Sequence, residues 1–498
     1  MRRIAVVGAG VAGACLVEQL AARVARPCEL TVVDGAPVLW RGRAYQPDDA
    51  DVITNIAAAH MSVRPGDPSH AERWLRARGP GVLDASGLTS RALYGVYLAE
   101  TLSLTAGRLV DAGWRLRVVR EYARGLEPAG ESVRVVTAGG RGERFDHVVL
   151  CAGPAAPPDP YGLAGVPGWV AVPFPLARTL AAVPADAHVG VLGSGLTAVD
   201  IVAGLVARGH RGPIALASRG GVLPSAGAAP APHPPRHLTL PRLESLAAGR
   251  PLTASGLRTL LRAELRSAGV GEEVFHRELA LTEPPVDRLR RQLADAAGGG
   301  VALAVLRQAL HRFAGQAWNL LPEAEQTALW RCHGRAVTSL CCPMPRHRAE
   351  LMLRLLTSGR LTVLAGLSAV EPGRRGGLDL IARGATCPVD VLFNALNPGA
   401  PGDGRAGPVE ATLAARCGAA HPLGGLRTDR RTHRVPGVGG AHTGLHALGH
   451  PTRGAVLFHF GLPSLVHQSG LVARAVAAGV VSAEARRPRR ATRPGTTG

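Results

Sequence analysis

The chain contains no lysine, so its positive charge rests on arginine alone. Its 498 residues carry 57 basic side chains and 37 acidic ones, which gives a formal net charge of +20. Alanine, glycine, arginine and proline are abundant, and outside the stretch 486–490 the arginines are scattered. Such a composition indicates GC-rich coding more simply than a phosphate-binding surface, and it disfavours a nucleic-acid partner. From the net positive charge we expect only an attraction for small anionic cofactors and substrates.

The chain also lacks any C-x-x-C pair, although it has eight cysteines. A dithiol–disulfide reductase needs two thiols at close spacing, so that class of redox enzyme is disfavoured. A loose group of residues has the chemistry of zinc ligands but not their usual spacing, and no metal is predicted: Cys332, His333, Cys341, Cys342 and His347. Free thiols beside a cofactor-binding core indicate a reducing cytoplasm.

No apolar run is long enough to predict a membrane span, and no membrane partner is expected. Residues 4–17 follow Arg2 and Arg3 and imitate a signal peptide. That run contains a glycine fingerprint and continues into a helix with Glu18. It therefore predicts the strand–turn–helix core of a folded domain.

Two glycine fingerprints are present, and the first is Gly8-x-Gly10-x-x-Gly13 after the apolar residues 4–7. In such a motif the glycines form a tight turn, admit a pyrophosphate close to the backbone and let the helix pack on the strand. Asp34 ends the next predicted strand, about twenty residues beyond the glycines, where a carboxylate can bind a ribose 2′-hydroxyl. The unit predicts FAD or NAD.

The second fingerprint is Gly193-x-Gly195-x-x-Ala198, after the apolar residues 189–192. The next predicted strand, 214–217, ends in Ser218 and Arg219 with no acid. A hydroxyl and a guanidinium at this position suit a 2′-phosphate, which favours NADPH over NADH, although Arg219 could equally be a solvated surface residue. Two nucleotide sites on one chain are what a flavoprotein reduced by a nicotinamide cofactor requires.

The predicted fold class is α/β, with two Rossmann-like dinucleotide-binding domains, for FAD and NADPH, and a helical insertion. The expected organisation is a first part of the FAD domain over 1–165, an NAD(P) unit over 166–250, a helical insertion over 251–358, a return to the FAD domain over 359–482 and a disordered basic tail over 483–498. Gly153 ends the strand that leaves the FAD domain. Residues 225–250 read as a loop, and strands near 361–364 and 389–395 are expected to join the first sheet.

Several stretches resemble one group of FAD/NAD(P)-binding flavoproteins, which includes bacterial FAD-dependent urate hydroxylase and the aspartate N-monooxygenase that makes nitrosuccinate. The similar stretches span nearly the whole chain: 42–45, 53–57, 61–62, 74–75, 193–198 with 218–219, 346–348 and 447–454. The resemblance is specific for fold and cofactors and weak for the substrate.

The resemblance implies that NADPH reduces FAD and that the reduced flavin uses O₂ to hydroxylate a small polar metabolite, at an amino-acid nitrogen or a purine-like ring. It places Asn55 and Met61 near the isoalloxazine and the segment from Gly449 at its other side. Thr197 lies in the similar stretch 193–198, which implies that it contacts the nicotinamide cofactor. Cationic partners for an anionic substrate are Arg346, Arg348 and Arg453, each with a plain alternative as a surface or phosphate-contacting arginine.

Two departures from this pattern bear on the chemistry. Many two-dinucleotide flavoproteins carry a Gly-Asp pair whose aspartate holds the ribityl chain, whereas Gly449 is followed by His450. His450 is either a proton donor or a structural histidine. In addition, relatives carry a further histidine just before the position of His347, whereas this chain has Pro345 and Arg346 there. This departure weakens the case for a histidine that binds substrate in this region.

Three functions remain open from sequence. The leading hypothesis is the NADPH-dependent flavin monooxygenase, with O₂ and a small molecule as its reaction partners. The alternatives are a flavin oxidase or dehydrogenase that transfers no oxygen, and a non-catalytic flavin-bound scaffold or nucleic-acid partner that uses the basic surface. The substrate and the oligomeric state do not follow from the sequence.

Overall fold

The computed structural model describes residues 1–129, 131–154, 156–227, 233–373, 376–397, 409, 413, 419–437, 444–459 and 461–485. The strands in chain order are β1 Arg3–Val7, β2 Glu29–Val33, β3 Arg115–Val119, β4 Ala123–Ala129, β5 Ser132–Thr137, β6 Gly142–Phe145, β7 His147–Leu150, β8 Trp169–Val170, β9 Val189–Leu192, β10 Ile214–Ser218, β11 Leu361–Ala365, β12 Leu367–Pro372, β13 Leu378–Ala382, β14 Ala385–Val389, β15 Val391–Asn394 and β16 Leu445–Ala447.

The helices lie between these strands. They are α1 Val11–Arg23, α2 His70–Arg76, α3 Arg91–Asp111, α4 Leu176–Thr179, α5 Leu196–Ala207, α6 Leu240–Gly249, α7 Ala254–Ser267, α8 Glu272–Ala280, α9 Pro285–Ala297, α10 Ala302–Arg312, α11 Glu323–Cys341, α12 Arg346–Thr357 and α13 Leu462–Ala485. Short 3₁₀ turns occur at Ala58–His60, Trp318–Leu320 and His450–Thr452, and one π turn at Phe313–Ala317.

The first sheet is parallel throughout, in the order β16-β7-β1-β2-β3. Its central strands β7 and β1 are mostly apolar and buried, because helices cover one face and the antiparallel sheet β4-β5-β6 packs near the other. Apolar side chains of α1 and α13 form one core with β1, including Leu16, Leu20 and Val476. We call this sheet with its helices the first unit.

The second sheet has the order β11-β10-β9-β15-β8 and is also parallel. The expectation that the strands near 361–364 and 389–395 return to the first sheet is therefore wrong, because β11 pairs with β10 and β15 pairs with β9. A short, fully apolar strand suits the centre of either parallel sheet, so its pattern does not specify its partner. The second expected strand also divides into β14 and β15, and β14 joins the antiparallel sheet β12-β13-β14. We call this sheet with α5 and α12 the second unit.

Helices α6 to α11 form a helical insertion between β10 and β11. Leucines repeating at three- and four-residue spacing pack around the buried Trp318, as the periodicity predicts. Part of the stretch expected to be a loop is helical instead: α6 begins after Thr239, has proline in its first turn, and buries Leu243 in this core. Residues 228–232 of that stretch lie outside the described residues.

Helix α13 is longer than the expected closing helix over 470–480. Within the described residues, Leu462–Val481 is the one single helix with the length and hydropathy of a membrane span, with a mean hydropathy of 1.2. The sequence-based expectation of no such segment is wrong in that respect. The helix packs against α1, and its Val472, Ala473 and Val476 are fully buried there, which is the environment of a core helix. The basic tail beyond residue 485 lies outside the described residues.

Candidate active site

The first glycine fingerprint forms a backbone cradle between β1 and α1. Gly8 has a φ of +105°, and a side chain there would come within 2.7 Å of the carbonyl oxygen of Cys151. A side chain at Gly13 would overlap the carbonyl oxygen of Gly8. Gly10 is the N-cap residue of α1, and a Cβ added to it would lie 3.5 Å from the Cα of Gly42. Two glycines facing each other leave bare backbone where a pyrophosphate can approach, so the residues fit a dinucleotide.

Asp34 stands beside this first cradle at the carboxyl end of β2. Its Oδ2 accepts a hydrogen bond from the backbone N–H of Ala9 at 2.6 Å, and its Oδ1 accepts one from Ala36 at 2.8 Å. A carboxylate has about four acceptor positions, so two remain for a ribose hydroxyl. Gly153 follows β7 at the same edge of the sheet and is exposed, with open space where its side chain would be.

The second fingerprint forms a second cradle between β9 and α5. Gly193 has a φ of +109°, and a side chain there would come within 2.8 Å of the carbonyl oxygen of Ala395. Gly195 is the N-cap residue of α5, and a Cβ added to it would meet no atom within 4 Å, while Ala198 is fully buried where the helix meets the sheet. Thr197 is half-buried in the first turn of α5. The free N–H groups of this turn suit the phosphates of a second dinucleotide.

Ser218 and Arg219 differ in how the structure uses them. The Ser194 hydroxyl donates to the carbonyl oxygen of Val222 at 2.7 Å and lies 3.1 Å from the Ser218 hydroxyl, which therefore donates to it. Ser218 also accepts from the N–H of Gly221 at 2.9 Å. The Ser218 hydroxyl thus stabilises the loop 218–222 through internal hydrogen bonds, whereas the Arg219 side chain is exposed.

The segment from Gly449 lies against the N-terminal end of α1. Gly449 has a φ of +75°, and a side chain there would come within 3.1 Å of Ala12 and 3.2 Å of Leu465. His450 follows it and stacks edge-to-face on His459, with ring centroids 5.4 Å apart. Burial, helped by the charges of Arg453 and Arg43, lowers the pKa of His450 to about 4, so the imidazole is neutral near pH 7.

Asn55 and Met61 lie in the same unit and differ in exposure. Met61 is buried in a cluster with Tyr94 and Leu465, and its carbonyl oxygen accepts from the Tyr94 hydroxyl at 2.6 Å. Asn55 is half-buried. Through Leu465, Met61 belongs to the packing that also supports Gly449.

The three arginines expected near the substrate are divided between two places. Arg453 lies beside His450 and affects its pKa. Arg346 and Arg348 are in the first turn of α12, and no contact among the described residues joins them to His450. Arg346 is exposed and pairs with Glu350 at 3.0 Å. Arg348 is buried and donates to the carbonyl oxygen of Asp51 at 2.5 Å, which ties the second unit to the first.

Residues Asp84, Ala85 and Ser86 form, with Arg346, His347 and Glu350, an open groove of about 510 Å³. Partial burial lowers the pKa of His347, and the groove presents this imidazole, one ion pair and the carboxylate of Asp84. Asp84 accepts from the N–H groups of Ser86 and Leu88, which fixes the loop. Within the described residues no group of histidine, cysteine or acidic side chains could hold a metal ion.

A buried network between the helical insertion and the Gly449 segment was missed by sequence reasoning. The Trp318 indole donates to the carbonyl oxygen of Gly454 at 2.7 Å, and the Trp318 carbonyl accepts from the Gln326 amide at 2.8 Å. Gln326 in turn lies 3.0 Å from the His421 imidazole. A side chain at Gly454 would overlap that imidazole. A lone tryptophan in a leucine-rich helix pattern gives no signal of such a contact.

Comparison with known proteins agrees with this architecture. Residues 5–155 match a family model described as FAD-NAD(P)-binding. Three similar structures are an ornithine N-hydroxylase from Kutzneria sp. 744 (15% identity, 98% of this chain and 99% of that chain, TM-score 0.57), an L-lysine 6-monooxygenase from Pseudomonas syringae (17%, 96% and 100%, 0.58) and a cadaverine monooxygenase bound to FAD from Erwinia amylovora (12%, 100% and 100%, 0.57). None of the curated proteins matches. The predicted α/β fold, with two Rossmann-like units and a helical insertion, is confirmed.

Proposed function

We propose that the protein is an FAD-dependent monooxygenase that is reduced by NADPH and transfers one oxygen atom of O₂ to a small polar metabolite. The observation that carries the proposal is the pair of glycine cradles on one chain, each at the carboxyl edge of a parallel sheet. An acid, Asp34, stands beside the first cradle, and Arg219 stands beside the second. That difference assigns FAD to the first cradle and NADPH to the second.

When both cofactors are bound, NADPH supplies a hydride to FAD, and the reduced flavin activates O₂ for insertion into the substrate. The glycines of the first cradle would hold the FAD pyrophosphate, and Asp34 would accept from the ribose. Gly193, Gly195 and Thr197 would hold the pyrophosphate of NADPH at the N-terminal end of α5.

The Gly449 segment gives the flavin side of the site its polar groups. The neutral imidazole of His450 can donate one hydrogen bond and accept one, but its pKa of about 4 makes it a poor proton donor near neutrality. Its proposed role is therefore to orient a bound group, and Arg453 beside it supplies positive charge. The buried bond from Trp318 to Gly454 would hold the helical insertion over this segment and exclude water.

The substrate class that we propose is an aliphatic amine or amino acid, oxidised at nitrogen. The similar structures act, by their own descriptions, on ornithine, lysine and cadaverine. The groove at the first turn of α12 carries both signs of charge, which suits a zwitterion, and Arg346 is its cation. We assign Arg348 to positioning, because it is buried and joins the two units. The described cysteines are all free, which fits a reducing cytoplasm.

The experiment that tests the proposal is a coupled stoichiometry measurement on the FAD-loaded protein. NADPH oxidation, O₂ uptake and product mass are followed together while amines, amino acids and purines are screened. We expect one substrate to gain 16 mass units with about one NADPH and one O₂ consumed. NADPH and O₂ consumption with no oxygenated product for any substrate would instead indicate an oxidase. Retention of FAD with no reduction by NADPH would contradict the proposal at its first step.

A further inference from the structure

Three arginines lie in or beside the loop that follows β10. Arg219 lies in the loop itself. Arg335 extends from α11 of the helical insertion, and a side chain at Gly220 would come within 2.6 Å of its Nη1. Arg383 lies in the turn between β13 and β14, and a side chain at Gly366 would come within 2.8 Å of its Cγ. Gly366 in turn donates its N–H to the carbonyl oxygen of Arg219 at 3.3 Å. Three separate segments thus bring cations to one loop.

A buried hydrogen-bond network fixes α11 against this loop. The Ser339 hydroxyl, one helical turn beyond Arg335, donates to the carbonyl oxygen of Leu223 at 2.7 Å. The backbone carbonyl oxygen of Ser339 accepts a hydrogen bond from the N–H of Ser225 at 3.0 Å. Arg288 of α9 donates to both Ser339 and Leu223. The backbone that carries Arg335 is therefore held in register with the loop.

The cations around the loop have no acidic partner among the described residues. None of the three forms an ion pair there, although ion pairs are common elsewhere in the chain. Among the described residues, the acid that lines the adjoining cavity is Glu283, and Arg291 pairs with it at 2.5 Å. Arg288, which also lines the cavity, is paired with the buried Glu278 at 2.9 Å. The uncompensated positive charge near the loop therefore belongs to Arg219, Arg335 and Arg383.

A cavity of about 520 Å³ adjoins the loop. Gly220 and Gly221 line it on one side, the end of β11 and Arg383 on another, and α9 with the residues before it on a third. Its volume lies in the range of small-molecule sites. Its position, beyond the carboxyl ends of β10 and β11, is where the adenosine end of a dinucleotide lies when its pyrophosphate is at the N-terminal end of α5.

We infer that Arg335 and Arg383, together with Arg219, bind the 2′-phosphate of NADPH, so that the helical insertion and the β13–β14 turn select the cofactor. The inference rests on the proposed function, because it takes the second cradle as the NADPH site. It also replaces Ser218 as a phosphate ligand, since the Ser218 hydroxyl is engaged with Ser194 and Gly221. Three guanidinium groups around one phosphate give charge-assisted hydrogen bonds from several directions.

The test is calorimetric titration of the FAD-loaded protein with adenosine 2′,5′-bisphosphate and, separately, with adenosine 5′-monophosphate. We expect the unsubstituted protein to bind the bisphosphate more tightly. R335Q and R383Q should each lower that preference about tenfold, because each removes one charged contact to the phosphate. R335K, which keeps the charge, should retain most of it.

The matched control is R354Q, which removes the same charge from an exposed arginine in the last turn of α12, at the opposite edge of the second sheet. R354Q should leave both affinities unchanged, and retained flavin with an unchanged melting temperature verifies that each variant is folded. If R335Q and R383Q behave like R354Q, the inference is wrong. If the bisphosphate binds as expected but NADPH does not reduce the flavin, the proposed function fails while the anion site stands.

Discussion

The two cradles use the same glycine chemistry but are completed in different ways. The first is completed within its own unit, because Asp34 at the end of β2 bonds directly to the glycine loop through Ala9. The loop beside the second, which follows β10, is bordered by residues from elsewhere, because Arg335 of the helical insertion lies at Gly220 and Arg383 of the β13–β14 turn lies at Gly366. The first site is therefore specified locally, and the second depends on how distant segments pack.

This difference explains why a sequence motif predicts candidate ligands more completely at the first site than at the second. A ribose ligand about twenty residues after a glycine motif can be found by counting. A phosphate ligand on a helix more than a hundred residues away cannot. Substitutions that disrupt one cradle and leave the other intact provide the sharpest tests of this comparison.

The largest effect is expected for Gly10→Val. A Cβ at this position clears Gly42 at 3.5 Å, so the chain tolerates it, but the two methyl groups would fill the space of the pyrophosphate. We expect the purified protein to be colourless, with its fold retained. The measurement is the flavin absorbance per chain, with circular dichroism as the check on folding. A fully yellow variant would remove the FAD assignment.

Gly195→Val is the matching change in the second cradle. Nothing stands within 4 Å of the new Cβ, so any effect must come from the nucleotide. We expect normal flavin content and an NADPH affinity lowered roughly a hundredfold, measured by anaerobic titration of flavin reduction. Loss of flavin from this variant would show that the two cradles are not independent.

Acid should destabilise the first unit first. It contains five histidines whose pKa burial lowers to about 3 or 4: His147, His433, His446, His450 and His459. The folded chain binds fewer protons than the unfolded one, whose histidines titrate near 6.5. Stability is therefore full above about pH 6.5 and is lost as the pH falls from 6.5 towards 4.

The expected loss is at least about 3 kcal/mol over that window, since one pKa unit corresponds to about 1.4 kcal/mol. Urea unfolding at several pH values measures it. His446→Gln, which removes one fully buried imidazole, should make the pH dependence shallower. A stability that does not change between pH 6.5 and 4 would contradict these burial effects.

The smallest effect is expected at the contact between the insertion and the first unit. Trp318→Phe removes the donor to Gly454 and leaves a buried carbonyl unsatisfied, which costs about 1–3 kcal/mol. We expect a lower melting temperature and more NADPH consumed per product formed. Trp169→Phe is the control, because the indole N–H of Trp169 has no partner among the described residues. Equal effects of the two changes would mean that the Trp318 bond is unimportant.

The features that could be predicted from sequence are those that a short stretch determines alone. The two strand–glycine–helix units and the helical character of the insertion belong to this class, because local periodicity and turn chemistry specify them. The partner of β15 could not be predicted, because its apolar residues fit the centre of either sheet. Helix α6 was missed because proline was interpreted as a loop signal, whereas proline is also accepted in the first turn of a helix. The engagement of Ser218 with Ser194 depends on loop geometry that no spacing reveals.

The interleaved connectivity of the second sheet has a consequence for dissecting the protein. Strands β9 and β10 are separated from β11 and β15 by the whole insertion, and the first sheet receives β16 only near the end of the chain. A fragment that stops at residue 250 would lack the edge strand β16 of the first sheet, and it would lack both β11 and β15 of the second. Neither nucleotide-binding unit can therefore be excised as one continuous piece. During synthesis on the ribosome, neither sheet can be completed until its late strands have been made.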